Sequence, residues 1–318
     1  MAITVRKASL QDFINVRKIT AKSIIYSGFD YLPPAFESIL TRHGGYVLEI
    51  DDQVVGFLGY IITDGGTSFI PIGGRIHDDF KNQGLFRFLM DSVTKQLCAA
   101  LPQISSRRMS INSSNPHAEK LISSHSVVCR GKHVRMTMDE VRRKHFSHFL
   151  SMLEDPSRAE TVVEMSIGDI CGVMDSPQFV QNLFPGGYIF HDWRVYRFVR
   201  VEMESLVVEH SNFHFVSFRS CDCRSSLTTS AVALVSTNEY GDDKGIKLNL
   251  DFYGDIDENI FKSLLGKAMR MMDKDAIRYD ALQVVVPEEC EVLFECLIAD
   301  EREIKSGGII GMEMLIGD

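Results

Sequence analysis

The chain has 318 residues, a formal net charge of -9, 45% hydrophobic residues and 24% charged residues. That length suits about two domains of ~150 residues with a sizeable core. The acidic balance argues against a nucleic-acid surface and against docking on anionic membranes. No apolar run approaches the ~20 residues of a spanning helix, and the N-terminus MAITVRKAS lacks the apolar stretch of a signal peptide. The seven cysteines are scattered, with no Cys-x-x-Cys pair, which points to reduced thiols in a cytoplasmic setting. Cys221-Asp-Cys223 is the one cluster, and it lacks partners at metal-site spacing, so no metal is expected.

In chain order, Ile3 to Lys7 reads as a strand, and Ser9 caps a helix running to about Ser23. Gly28 breaks that pattern, and Pro33-Pro34 open a short helix to about Arg42. Tyr46 to Ile50, Gln53 to Ile62 and Thr67 to His77 read as three strands, joined by turns at Asp51-Asp52 and Asp64-Gly65-Gly66. Lys81-Asn82-Gln83-Gly84 is turn chemistry. From there Leu85, Phe88, Leu89, Val93 and Leu97 recur at helical spacing. Arg107 to Ile111 is a strand, Pro116 starts a helix to about Ser124, and Val127 to Met138 is a strand. An amphipathic helix is expected over Val141 to Leu153, followed by Asp155-Pro156-Ser157.

The second half repeats the order in weaker form. Phe213 to Phe218, Ala231 to Ser236 and Lys247 to Phe252 read as strands, Ile256 to Met272 as a helix and Ala281 to Val286 as a strand. Pro287 opens a helix to about Ile298, and Gly308 to Ile316 is a last strand. The expected fold class is α/β (α+β): two tandem units, each a mixed, mostly antiparallel sheet with helices on both faces. The expected partition is residues 1–140, a linker helix over 141–157, and 158–318.

A turn that opens a helix directs several unpaired N–H groups at one spot, at the positive end of the helix dipole, and so suits a phosphate or pyrophosphate. The strand, then Lys81-x-x-Gly84-x-Phe86, then helix resembles the acetyl-CoA motif of the GCN5-related N-acetyltransferases. The usual form there is Arg/Gln-x-x-Gly-x-Gly/Ala, and Phe86 departs from it. Ile25 to Pro33, Phe184 to Arg197 and Leu248-Asn249-Leu250-Asp251 resemble the histidine N-acetyltransferase group, which includes the vertebrate probable N-acetyltransferases. The resemblance implies acetyl-CoA as co-substrate, held by Arg75, Ile76, Lys81, Asn82, Gln83, Gly84, Leu85, Phe86, Arg87 and Asn115. It also implies a backbone oxyanion donor near Gly74 to Ile76 and histidine as the acceptor. The usual acid, a Tyr in the helix after the next strand, falls on Ile122. The matching turn of the second unit, Gly254-Asp255-Ile256-Asp257-Glu258, is acidic and would repel a pyrophosphate, so that unit reads as a degenerate copy without CoA.

Acetyl transfer needs a neutral amine, an oxyanion donor and a route for protons. Glu49 on a strand and His77 beside the cofactor turn are the candidate bases. For the small-molecule amine acceptor, Tyr26, Asp30 and Tyr31 in one segment and Asp192, Trp193 and Tyr196 in another combine carboxylates with aromatic rings. That combination attracts and shapes a small cation. The alternatives are a CoA-binding module without turnover and a protein N-acetyltransferase. Composition does not indicate the oligomeric state.

Overall fold

The fold was analysed in a computed structural model. It describes all residues except 1, 20–28, 141, 145–161, 211, 222–226, 244, 275–276, 289, 291–304 and 317–318. The chain groups into two compact units. One is Met1–Met109 with Glu239–Gly245 and Glu313–Asp318, and the other is Ser110–Asn238 with Ile246–Met312. This grouping differs from the expected break near residue 140, because the strand at Ser126–Thr137 falls in the second unit. The proposed linker helix lies largely outside the described residues.

The first unit runs β1 (Ile3–Lys7), α1 (Phe13–Lys18), α2 (Leu32–Arg42), β2 (Gly45–Ile50), β3 (Gln53–Thr63), β4 (Ser68–Ile76), α3 (Leu85–Ala100) and β5 (Ser106–Asn112), whose last residues belong to the second unit. Strands β1 to β5 lie in sequence order. The pairs β1–β2, β2–β3 and β3–β4 are antiparallel, and β4–β5 is parallel, as a helical crossover through α3 requires. The turn between β2 and β3 is Asp51-Asp52, both at positive φ (47 and 66°), the mirror-image turn that suits a two-residue hairpin. On α3 the buried stripe is Leu85, Leu89, Met90, Val93 and Leu97. Phe88, expected on that stripe, is instead 46% exposed, and Met90 fills the core in its place. The stripe packs on Leu48, Val55, Leu58 and Phe69 of the sheet, each buried side chain contributing about 1.5–3 kcal/mol. Helix α1 ends at Lys18, and the rest of the helix expected to Ser23 falls mostly outside the described residues.

The second unit adds α4 (Ala118–Ile122), β6 (Ser126–Thr137), β7 (Val162–Met165), α5 (Ile167–Met174), α6 (Pro177–Leu183), β8 (Tyr188–His191), β9 (Arg194–Arg197), α7 (Arg200–Glu209), β10 (His214–Cys221), β11 (Leu227–Tyr240), β12 (Gly245–Gly254), α8 (Glu258–Lys274), β13 (Ala281–Pro287) and β14 (Lys305–Leu315). Its strand order is β14-β6-β13-β12-β11-β10-β7, with β8–β9 a separate hairpin. Strands β12 and β13 are parallel across α8, the same crossover as β4-α3-β5. The apolar face of α8, with Phe261, Leu264, Leu265, Ala268 and Met272, packs on Leu248, Leu250 and Phe252 of β12. Each unit is thus a mixed, mostly antiparallel sheet with helices. The elements from β7 to α7 were not expected from sequence. The helix expected from Pro287 lies mostly outside the described residues.

Candidate active site

Gly73 and Gly74 interrupt the apolar run of β4. The register passes from Phe57↔Arg75 to Gly59↔Ile72, so both glycines stand opposite Leu58. This is a one-residue bulge with Gly73 at φ 62°. Past the bulge, the His77 N–H donates to Val55 O at 2.7 Å. Alternation along the strand therefore turns the Ile76 N–H to the opposite edge, the one facing away from β3.

On that edge β4 pairs with β5 only at Ser68↔Ser106 and Phe69↔Arg107. The remainder of β4, Ile70 to Ile76, runs on without a β5 partner. In the second unit, β12 and β13 stay paired over five rows, from Lys247↔Ala281 to Asp251↔Val285. The two crossovers share a topology, and the first parts its strands after two rows where the second holds five.

The helix starts differ in the same sense. Helix α3 begins after Gly84 at φ 74° with no side-chain cap. Its first bond, Phe88 N–H to Gly84 O at 3.0 Å, leaves the N–H groups of Leu85, Phe86 and Arg87 without intrahelical acceptors. A Cβ on Gly84 would meet nothing within 4 Å, so the approach is clear. At α8 the Asp257 carboxylate accepts the Ile260 N–H at 2.7 Å. That end is closed by its own anion.

The cations of this turn are engaged by nearby carboxylates. Lys81 pairs with Asp78, and Arg87 lies 3.7 Å from Asp91 on an exposed face. Asn82 takes a positive φ of 61°, and the Gln83 amide reaches Asp79 O at 3.4 Å. An anion at this turn would therefore be held chiefly by backbone N–H groups and the helix dipole. Leu85 is buried in the core. The Phe86 ring lies over Gly74, where a Cβ would stand 2.8 Å from it. The missing side chain at Gly74 thus makes room for the bulky residue in the motif. Arg75 is buried and serves the protein: Nη1 and Nη2 hold Asp30, at 3.1 and 3.0 Å, and Nε donates to Gly73 O at 3.1 Å. Asn115, in the second unit, accepts the His117 N–H at 2.9 Å and forms a turn ahead of α4.

Both candidate bases are occupied. Glu49 takes Arg6 Nε at 3.0 Å and Nη2 at 2.6 Å, and Arg6 also holds Asp12. His77 Nδ1 accepts the Asp79 N–H at 3.3 Å and caps a short turn, so the neutral ring carries its proton on Nε2. His77 lines an open cleft of about 360 Å³ with Asn15, Lys18, Asp52, Gln53 and Val54.

The acceptor residues fall as follows. Tyr26 lies outside the described residues. Neither Asp30 nor Asp192 offers a bare carboxylate to a cation. Asp30 is clamped by Arg75 and also receives the Leu32 N–H at 3.1 Å. The Tyr31 hydroxyl accepts the Gly73 N–H at 2.7 Å. In the second unit, Asp192 and Trp193 are the two turn residues of the β8–β9 hairpin, at φ 46 and 65°. Asp192 is buried against the Lys247 ammonium. Burial raises its carboxyl, but Lys247 and Arg194 outweigh that and hold it well below the usual carboxylate range. Trp193 Nε1 donates to Gln283 Oε1 at 2.8 Å, and Tyr196 is buried. Among the described residues no group of His, Cys, Asp and Glu is arranged to hold a metal, and no helix is long and apolar enough to cross a membrane.

The Gly73-Gly74 pair in an apolar strand is a legible bulge signal. The strand parting after Phe69 and the Asp257 cap were not drawn from the sequence, although Asp three residues ahead of Ile260 is a readable cap.

No protein-family model matches the chain, and no curated protein sequence does. Solved structures do. A GCN5-related N-acetyltransferase from Sphaerobacter thermophilus is 12% identical, with 99% of this chain and 96% of that one covered at a TM-score of 0.57. A tandem GNAT protein from the clavulanic acid biosynthesis pathway is 11% identical, with 100% and 99% covered at a TM-score of 0.57. At such identities the likeness shows the fold: a tandem GCN5-related N-acetyltransferase fold over the whole chain.

Proposed function

We propose that this protein is an acetyl-CoA-dependent N-acetyltransferase acting on the α-amine of a small amino acid, with histidine the leading candidate. The observation that carries this reading is the start of α3. Its N–H groups lack intrahelical acceptors, and Gly84 offers no side chain against an incoming anion. It lies beside the stretch of β4 that has left β5. The turn from Lys81 to Arg87 fits a pyrophosphate, and the edge of β4 with the Ile76 N–H fits an acyl carbonyl beside it. Acetyl-CoA would supply the activated acetyl group. The chain's share is to bind and orient it, to exclude water and to stabilise charge on the carbonyl oxygen. The second unit, with its paired strands and capped helix, serves as a partner without CoA.

The test is to incubate the protein with acetyl-CoA and each of the twenty amino acids singly, and to follow free thiol. Release with histidine above all others is expected. No release with any amine would overturn the reading in favour of a CoA-binding module without turnover. That second reading draws on the engagement of Glu49 and His77 and on Ile122 at the usual Tyr position.

A further inference from the structure

Acyl transfer from a thioester leaves a thiolate, and the residues at the expected acid and base positions do not serve it: Ile122 carries no proton, and Glu49 is tied to Arg6. The bulge of β4 carries a proton-bearing side chain from elsewhere. The Tyr31 hydroxyl, from the segment just ahead of α2, accepts the Gly73 N–H at 2.7 Å. Because the phenol oxygen receives that N–H, its own proton is directed away from Gly73. The next residue back fixes the arrangement. Asp30 grips Arg75 through two nitrogens, and Arg75 Nε donates to Gly73 O at 3.1 Å. Both polar groups of the Gly73 backbone are therefore bound by, or through, Asp30-Tyr31. The same segment is anchored behind: Gly241 N–H donates to Asp30 O at 2.7 Å, and Phe29 packs on Tyr240 with ring centroids 5.2 Å apart. Arg17 pairs with Asp242 beside it at 2.8 Å. A phenol supported this way has a fixed oxygen and an amide donor ready to stabilise a phenolate.

We infer that Tyr31 is the proton donor to the departing thiolate, placed on the β4 bulge by the Asp30–Arg75 clamp. The inference rests on the acetyltransferase reading above. In the step, the amine nitrogen forms a bond to the acetyl carbon and the carbon–sulfur bond breaks. The electron pair goes to sulfur, which takes the Tyr31 proton and leaves as the thiol. The proton lost from the amine returns to the phenolate. Atoms and charge balance with acetyl-CoA and a free amine as the only reactants.

The test compares the wild type with Tyr31→Phe on two acetyl donors, acetyl-CoA and 4-nitrothiophenyl acetate, using the best amino-acid acceptor from the thiol-release survey. Acetyl-CoA affinity is measured in parallel by calorimetry. The nitrothiophenolate leaves readily without a proton, so it does not need an acid. An acid at Tyr31 predicts that kcat with acetyl-CoA falls about 100-fold. With the nitrothiophenyl ester the fall should stay within about 3-fold, and calorimetric affinity for acetyl-CoA should be unchanged. Equal losses on both donors would assign Tyr31 a purely architectural part and overturn the inference, as would full activity of the variant with acetyl-CoA. A wild type that releases no thiol with any acceptor would instead overturn the acetyltransferase reading, and the inference with it. Phe keeps an aromatic ring at this position, and Tyr31→Trp provides a second variant without the phenol if Phe fails to fold.

Discussion

Asp257 closes the first turn of α8 by accepting the Ile260 N–H at 2.7 Å, and in α3 no side chain does the same. The two helices occupy the same place in two copies of one crossover, so their N-termini can be compared directly. A helix end that holds its own carboxylate has no room or field for a second anion. A helix end reached through a left-handed glycine presents its N–H groups outward. The parting of β4 from β5, against the five paired rows of β12 and β13, points the same way.

Gly74→Ala tests the seat of Phe86. The added Cβ would stand 2.8 Å from the ring and 3.0 Å from Leu58. Such overpacking destabilises by about 1–3 kcal/mol. Adding Phe86→Ala should recover a good part of that loss, as denaturant unfolding of the single and double variants would show. Additive losses would mean the ring does not depend on the glycine.

Asp30→Asn and Asp192→Asn should act on stability before they act on any substrate. Each leaves a buried cation, Arg75 or Lys247, with a weakened partner. Breaking a buried pair costs about 3–5 kcal/mol, with the amide retaining part of the hydrogen bonding. Chemical denaturation should place both variants well below the wild type. Wild-type stability combined with a raised acceptor KM would restore these carboxylates to the acceptor site.

The second unit should be acid-sensitive. Burial pushes His133 and His191 down to about 4 and His210 down to about 3. The Arg135 guanidinium adds to the depression at His133, and His191 to that at His210. The unfolded chain takes up these protons near pH ~6.5 and the folded chain does not. The contribution of these three histidines is therefore fully present above pH ~6.5 and is lost as pH falls toward 4, opposed in part by buried Asp251, whose raised carboxyl holds a proton in the folded chain. The slope is roughly 1.4 kcal/mol per pH unit for each proton. Denaturation midpoints at pH 7.5, 6 and 5 would read this directly, and equal midpoints at all three would contradict it.

The strand–turn–helix frame of the first unit was legible because its turns are local. Asp51-Asp52, Asp64-Gly65-Gly66 and Lys81 to Gly84 each announce themselves within four residues. The elements from β7 to α7 were not legible. Strands β8 and β9 have four residues each, and their turn is Asp192-Trp193, where the usual left-handed pair would contain glycine. The turn from Lys81 to Gly84 ahead of α3 was readable for the same local reason. The fates of its neighbours were not, because they depend on partners distant in sequence. Arg6 reaches Glu49 across 43 residues and Arg75 reaches Asp30 across 45. A carboxylate among aromatics looks like a cation site until the buried arginine or lysine opposite it is known.

The most direct test is a calorimetric titration of the full chain with acetyl-CoA, for the wild type and for Gly84→Asp. Asp at that position adds a negative charge beside the N–H groups of Leu85 to Arg87, in space that is open up to 4 Å. A left-handed non-glycine residue costs the fold only about 1–2 kcal/mol, so the variant should remain folded by circular dichroism. One acetyl-CoA per chain for the wild type, and at least a 100-fold loss of affinity for the variant (about 2.7 kcal/mol), are predicted. Two molecules per chain, or unchanged affinity in a folded Gly84→Asp protein, would contradict the assignment of the α3 turn as the one CoA site.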